Sequence, residues 1–223
     1  ITYLLLEALI KHEAKDIIHR DIKPENVVVT PYGKIKTLDY GIAGQNGQEG
    51  RLKSPSTSPG EIVGTPAYIA PETIENPNKS SPKVDSWAVG VLAYEMLFGG
   101  TPFETKTSNS PAEVLLRVKE EKEVMLNEEG AYVRGDVPAA LLDVVSNLLK
   151  HRPKERYSAQ EALNAIDRQL SQELEQGRKE LEELGRQIAK DLETMTLDPV
   201  EKEPTIKINQ RNVATIVTPH PVI

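Results

Sequence analysis

The sequence predicts a mostly α-helical fold with one small β-hairpin. Residues 85–98, D-S-W-A-V-G-V-L-A-Y-E-M-L-F, are apolar on nearly every face, which is typical of a helix buried at the centre of a domain. Two short apolar runs, residues 27–29 and 35–38, flank the turn sequence T-P-Y-G-K and predict the hairpin. The hydrophobic content of 38% and charged content of 27% over 223 residues are ordinary for a globular protein.

Composition excludes several function classes. The chain has no cysteine, which excludes disulfides, thiol catalysis and zinc–thiolate sites. The net charge is −7 and no basic run occurs, which argues against nucleic acid as a partner. No apolar run approaches the ~20 residues of a membrane span and no signal peptide is visible, so we predict a cytoplasmic protein. Because the chain begins with Ile1 inside a helical pattern, we expect it to be a fragment of a longer product.

The elements follow in order along the chain. Apolar residues at helical spacing predict amphipathic helices over residues 2–14, 111–119 and 137–149. Residues 42–63 and 120–136 have no apolar period and read as loops, and G-T-P-A-Y-I-A-P-E at 64–72 reads as a loop entering a helix. Ser158 followed by Glu161 is a capping box that predicts the start of another helix.

The C-terminal part divides into a helical stretch and a tail. An apolar stripe at 3/4 spacing predicts one long helix over residues 163–195. Two interpretations stay open: a coiled coil or dimer partner through 163–195, or a helix that packs back on the domain. Residues 197–223 hold four prolines and no period, and they predict a disordered tail.

Charged and polar residues gather at both ends of the hairpin. Before the first strand come His19, Arg20, Asp21, Lys23 and Asn26; after the second comes Asp39. The hairpin brings these two groups together, so that two carboxylates, a carboxamide and a lysine share one small space. Such a set suits Mg²⁺ and phosphate, because hard cations take oxygen ligands and lysine offsets phosphate charge.

Five motifs in order resemble the protein kinase family. H-R-D-I-K-P-E-N at 19–26 is similar to the kinase catalytic loop, and D-Y-G at 39–41 resembles its metal-binding D-F-G. The stretch 64–72 resembles the substrate-binding segment and A-P-E motif, and D-x-W-x-x-G at 85–90 and G-x-x-P-F at 99–103 follow. Arg156 matches the family arginine that pairs with the A-P-E glutamate, Glu72. The residues in these motifs resemble those of serine/threonine kinases, and most of all those of the eukaryotic-like kinases of bacteria.

This resemblance implies a protein-kinase-like large lobe, a helical bundle with a small catalytic β-hairpin. The kinase domain would span residues 1–168, the long helix 169–196 and the tail 197–223. Three features of the kinase N-terminal lobe have no counterpart here: the Gly-rich loop, the lysine on the family's third strand and the glutamate on the family's C helix. The N-terminal lobe is therefore expected to be absent from this chain.

The resemblance also implies roles for the catalytic residues. Asp21 would orient the substrate hydroxyl, and Lys23 would stabilise charge at the γ-phosphate. Thr65 would hydrogen-bond toward these two residues. His19 would be structural, packing against Tyr40, and is left out of the catalytic set.

The resemblance implies ATP and Mg²⁺ as cofactors. Asn26 and Asp39 would hold the metal, and Val28 would pack beneath the adenine. Arg20 marks kinases that are controlled by a phosphorylated activation loop. In that loop we hypothesise that Glu61 supplies permanent negative charge, with Ser54, Ser56, Thr57 and Ser58 as candidate phosphorylation sites.

The predicted function is transfer of the ATP γ-phosphate to serine or threonine hydroxyls of protein substrates in signalling. Because half of the nucleotide pocket is missing, we predict that this polypeptide alone is inactive or nearly so. The alternative is a pseudokinase-like scaffold whose long helix mediates assembly. The intact set Asp21, Lys23, Asn26 and Asp39 favours the enzyme.

Overall fold

The computed structural model describes residues 1–30, 32–38, 44–45, 66–76, 81–104, 110–121, 124, 126, 137–194, 205–208 and 214–217. These residues are mostly helical, as predicted. Their helices are α1 Thr2–Glu13, α2 Pro71–Glu75, α3 Lys83–Phe98, α4 Pro111–Glu120, α5 Ala139–Leu148, α6 Ala159–Gln169 and α7 Ser171–Thr194. Their strands are β1 Ile17–Ile18, β2 Val27–Val29, β3 Ile35–Thr37, β4 Gly44–Gln45, β5 Thr205–Ile208 and β6 Ala214–Val217.

Helix α3 lies at the centre of the fold. Of its 16 residues 13 are buried, as the uninterrupted apolar sequence predicted. Helices α1 and α5 pack against it. A Cβ placed on Gly90 would lie 2.9 Å from the Leu148 Cβ, so glycine permits the close approach of α3 and α5. The helix ends at Gly99, whose φ of 81° is the left-handed conformation that suits glycine after a helix.

The predicted capping box at the start of α6 is confirmed. The Glu161 backbone N–H donates to the Ser158 Oγ at 3.2 Å, and the Ser158 backbone N–H donates to the Glu161 carboxylate at 2.7 Å. These bonds satisfy two backbone donors that a helix start otherwise leaves unpaired. They fix where α6 begins and therefore how it reaches α1, against which it packs.

The predicted hairpin is formed by β2 and β3. The two strands are antiparallel, with Val28 opposite Lys36, and all three residues of β2 are buried. In the turn, Gly33 has a φ of 69° and its N–H donates to the Thr30 carbonyl at 3.0 Å. A second small sheet pairs β1 with β4.

The prediction of a single helix over residues 163–195 is wrong, because the helix is interrupted at Leu170, between α6 and α7. This residue has φ −131° and ψ 27°, and its side chain is buried in the hydrophobic core. Core packing at Leu170 therefore overrides a stripe that looks continuous in the sequence. Helix α7 then contacts α1: the Arg178 guanidinium lies 5.1 Å from the Tyr3 ring centroid and 3.7 Å from the Glu7 carboxylate.

The tail predicted to be disordered contains β5 and β6. Strand β5 pairs antiparallel with β2, Val28 lying opposite Lys207, and β6 pairs with β5. The four-stranded sheet therefore has the order β3-β2-β5-β6. The segments T-I-K-I and A-T-I-V are rich in β-branched residues, a strand signal that the surrounding prolines obscured. Across the part of the chain that the structure describes, no helix is long and apolar enough to cross a membrane.

Candidate active site

The backbone of the loop before β2 is held by one buried carboxylate. Asp85, in the first turn of α3, accepts the His19 N–H at 2.7 Å and the Arg20 N–H at 2.8 Å. Arg20 has a φ of 65°, a left-handed conformation that costs a non-glycine residue about 1–2 kcal/mol. Burial raises the pKa of Asp85 to about 6, while the two backbone hydrogen bonds act in the opposite direction. At neutral pH the carboxylate is therefore ionised and fixes the direction of the loop.

His19 is a structural residue, buried beneath the loop. Its Nδ1 lies 3.4 Å from the Asp21 backbone N–H, which donates to it, so the proton resides on Nε2 and is directed at the Leu38 carbonyl, 3.1 Å away. The ring also stacks on His12 of α1, with centroids 6.1 Å apart. The predicted packing partner Tyr40 lies outside the described residues. His19 therefore joins the loop to the end of β3.

Three of the predicted site residues come together in the structure. The Lys23 Nζ lies 2.9 Å from the Asp21 Oδ2, and both side chains are about one fifth exposed. The Asn26 Nδ2 donates to the same Asp21 oxygen at 2.7 Å and to the Asp21 backbone carbonyl at 2.8 Å. A single 3₁₀ turn, Pro24–Asn26, folds Asn26 back to reach Asp21. The result is a partly exposed carboxylate held between an ammonium and a carboxamide.

The hairpin positions the remaining candidates. Val28 lies fully buried on β2, two residues after Asn26. The Leu38 N–H donates to the Asn26 carbonyl at 2.8 Å, so the residue that precedes Asp39 lies beside Asn26. Asp39 itself and Thr65 lie outside the described residues, as do Glu61 and the four candidate phosphorylation sites.

The donor set near Asp21 fits a hard cation in one respect. Asn26 uses its side-chain N–H groups on Asp21, which leaves its amide oxygen available as the kind of ligand that Mg²⁺ prefers. Within the described ranges, no group of three His, Cys, Asp or Glu residues could hold a metal. A site at Asn26 therefore needs a further oxygen ligand, and the residue after Leu38 is an aspartate.

A second ion pair, built on the buried Arg156, joins α2 to α3 and the loop before α6. The Arg156 guanidinium forms a fork with the Glu72 carboxylate, with N–O distances of 2.7 and 2.9 Å. The pairing of Arg156 with Glu72 that the sequence predicted is therefore confirmed. It fixes the helix that follows the G-T-P-A-Y-I-A-P-E loop.

One contributor to the site was missed at the sequence level. Asp85 matched a motif but was given no role, although a carboxylate in a helix that is otherwise apolar is itself a signal. Such a group needs hydrogen-bond donors when buried, and the loop backbone supplies them.

Comparison with known proteins identifies the family. The family model for the protein kinase domain matches residues 1–166. Aurora kinase A-B of Xenopus laevis is 36% identical over 152 residues, which cover 68% of this chain and 32% of that protein. The Aurora kinase of Schizosaccharomyces pombe is 33% identical over 161 residues, 72% of this chain and 40% of that protein.

A bacterial relative shows a similar likeness. The probable serine/threonine-protein kinase pknA2 of Bifidobacterium longum is 30% identical over 180 residues, 81% of this chain and 23% of that protein. The chain thus spans less than half the length of each of these three relatives. With the domain match covering residues 1–166, the chain belongs to the protein kinase superfamily and is of the serine/threonine type.

Proposed function

We propose that the protein containing this chain transfers the γ-phosphate of ATP to serine or threonine hydroxyls of protein substrates in the cytoplasm. The observation that carries the proposal is the cluster of Asp21, Lys23 and Asn26, in which both neighbours bind one Asp21 oxygen within 2.9 Å. Phosphoryl transfer needs the attacking oxygen in line with the phosphate and the phosphate charge offset, and this cluster supplies groups for both tasks.

Asp21 and Lys23 would divide the work at the reacting atoms. The Asp21 carboxylate, with its orientation fixed by Asn26, accepts a hydrogen bond from the substrate hydroxyl and aims its oxygen at the phosphorus. The Lys23 ammonium lies against the same carboxylate and is placed to offset negative charge on the transferred phosphoryl group. Thr65 would hydrogen-bond toward both residues on the substrate side.

Asn26, Asp39 and Val28 would hold the nucleotide and its metal. Asn26 would offer its amide oxygen and Asp39 its carboxylate, and Mg²⁺ held by them would offset the charge of the ATP phosphates. Val28, buried on β2, would contact the adenine from below. The cluster, the hairpin and the central helix α3 support assigning residues 1–168 to a kinase large lobe. Regulation through the loop before residue 66 is proposed because Arg20 precedes Asp21, as in kinases controlled by a phosphorylated activation loop.

The test compares Asp21→Asn with a matched control. Transfer of labelled phosphate from ATP–Mg²⁺ to a generic protein substrate is measured in the full-length protein that contains this chain. Asp21→Asn should lower kcat by ~10²–10⁴-fold, the contribution typical of a positioned base. Asp16→Asn is the control, because Asp16 is exposed and its φ of 56° suits asparagine equally well. An Asp21→Asn enzyme as active as the control would refute the assignment.

The 223-residue chain alone should transfer phosphate poorly or not at all, because it carries neither a Gly-rich loop nor a counterpart of the phosphate-binding lysine of the kinase small lobe. Measurable turnover by the isolated chain would contradict this.

The second candidate is a scaffold that assembles through α7. The observation in its favour is Leu184, which is 45% exposed on this helix, while Leu174 and Leu181 are only half-buried. A concentration-dependent dimer that Leu184→Glu abolishes, in a protein without phosphate transfer, would favour the scaffold over the enzyme.

A further inference from the structure

A cleft of about 920 Å³ lies between α1, the β2–β3 hairpin and α7. We call it the basic cleft, because five basic side chains line it: Lys11, Lys15, Lys34, Lys36 and Arg178. None of Asp21, Lys23 and Asn26 lines it, so the cleft is separate from the cluster proposed to carry phosphoryl transfer.

The charge of the basic cleft is opposite to that of the whole chain. Only two acidic residues, Glu7 and Glu182, accompany the five basic ones, whereas the chain carries a net charge of −7. Both acids face arginines: Glu7 lies 3.7 Å from Arg178, and Glu182 lies 3.9 Å from Arg186. Within the described part of the chain, no ion pair engages Lys11, Lys15 or Lys34. Their charges are therefore available to an anionic ligand.

The basic groups lie on two walls and at spacings that suit an extended chain. Lys11 lies in the last turn of α1, and Lys15 lies in the turn that directly follows the helix. Lys36 lies on β3 and Lys34 directly precedes that strand; both are exposed, and two residues of extended chain span about 7 Å. Consecutive same-side residues of an extended peptide have this same spacing, so anionic groups on alternate positions can meet successive lysines.

Apolar surface in the cleft favours a peptide over a small anion. Tyr32, 70% exposed, and Leu38, 37% exposed, both line it. Exposed aromatic and aliphatic side chains are typical anchors for protein ligands. The volume is at the upper end of the range for ligand pockets, and a single phosphate ion would leave most of it unfilled.

We propose that the basic cleft binds a phosphorylated, acidic segment of a partner protein, with phosphates against the lysines and apolar side chains against Tyr32 and Leu38. The proposal does not depend on phosphoryl transfer by this chain.

The basic cleft also adjoins the framework of the catalytic loop. His12 lines the cleft, and its ring stacks on His19, which donates to the Leu38 carbonyl next to Asp39. Burial, and then the charge of Lys15, lower the pKa of His12. An anion bound beside Lys15 offsets that charge and should raise the pKa of His12, which an NMR titration of the ring protons with and without peptide can follow.

The test is a binding measurement by fluorescence anisotropy on the full chain, without ATP. The probe is a labelled eight-residue peptide with phosphoserines at alternate positions and leucine between them, and its unphosphorylated form is the reference. Lys11→Glu/Lys34→Glu should weaken binding of the phosphopeptide at least tenfold. Lys119→Glu/Lys154→Glu removes the same charge at two exposed lysines outside the cleft and should change it less than twofold.

Three results would overturn the proposal. Equal loss of affinity in both double variants would mean attraction by net charge alone. Equal affinity for the phosphorylated and unphosphorylated peptides would exclude phosphate recognition, and pyrophosphate binding as tightly as the peptide would make the cleft a small-anion site. If circular dichroism shows that the Lys11→Glu/Lys34→Glu variant is unfolded, Lys11→Gln/Lys34→Gln takes its place, and binding should again weaken at least tenfold.

Discussion

Replacing Arg156 by alanine should be among the most destabilising changes in this fold. All five N–H groups of the guanidinium donate hydrogen bonds: two to the Glu72 carboxylate, and one each to the carbonyls of Lys83, Lys150 and His151, at distances of 2.7–3.0 Å. The Arg156 side chain is completely buried, whereas that of Glu72 is 19% exposed. The variant would leave three carbonyls and a carboxylate without their donors.

The expected loss follows from this geometry. Removing one partner of a buried, hydrogen-bonded ion pair lowers the free energy of unfolding by about 3–5 kcal/mol. The guanidinium also lies 4.9 Å from the Trp87 ring centroid, a contact that adds to the loss. Arg156→Lys keeps the charge but not the fork, so it should still lose about 2 kcal/mol, because lysine has three donors where arginine has five.

The assay is urea unfolding followed by circular dichroism, with Arg152→Ala as the control. Arg152 pairs with Glu155 at 3.2 Å, but its side chain is 76% exposed, and exposed pairs contribute about 0–1 kcal/mol. A double variant with Glu72→Ala should lose less than the sum of the single losses, because the two residues interact directly. If Arg156→Ala is no less stable than Arg152→Ala, or the losses simply add, the reasoning fails.

Three further predictions concern stability. Gly90→Ala should lower the melting temperature, with a loss of about 1–3 kcal/mol, because its Cβ would lie 2.9 Å from that of Leu148; an unchanged melting curve would contradict it. Ser158→Ala should lose about 1 kcal/mol in urea unfolding through the missing cap of α6, and a loss below 0.3 kcal/mol would count against it. Asp85 has a pKa near 3.8 in the unfolded state and of about 6 in the folded state. Between these pH values, Asp85 is therefore more often protonated in the folded state than in the unfolded state. Wild-type stability relative to Asp85→Asn should therefore fall as the pH rises from about 4 to 6, by up to roughly 3 kcal/mol, and a flat difference would refute this.

Local sequence patterns were sufficient to predict those elements that are determined by residues close together in the sequence. The run around Trp87 is apolar on every face, and no position in the fold other than the centre could bury it. The hairpin followed from two β-branched runs and a turn containing Gly33. Ser158 and Glu161 are three residues apart, so their reciprocal bonds could be predicted from spacing alone.

Contacts between distant parts of the chain could not be predicted in this way. The break at Leu170 depends on whether its side chain enters the core, and the stripe of apolar residues continues on both sides of it. Strand β5 forms where it finds the edge of β2, so its state depends on a pairing partner far away in sequence. Likewise the three residues around Asp21 are a local motif, whereas their support from Asp85 belongs to another element.

The position of the catalytic loop depends on two opposing free energies: the backbone strain at Arg20 and the hydrogen bonds that Asp85 accepts. The left-handed conformation of Arg20 costs about 1–2 kcal/mol, whereas each hydrogen bond to a charged acceptor contributes about 1.5–3 kcal/mol, and Asp85 accepts two. The two bonds therefore outweigh the strain. With a pKa of about 6, Asp85 is ionised at neutral pH and progressively neutralised below it. The geometry of the site therefore depends on a residue that touches none of the reacting groups.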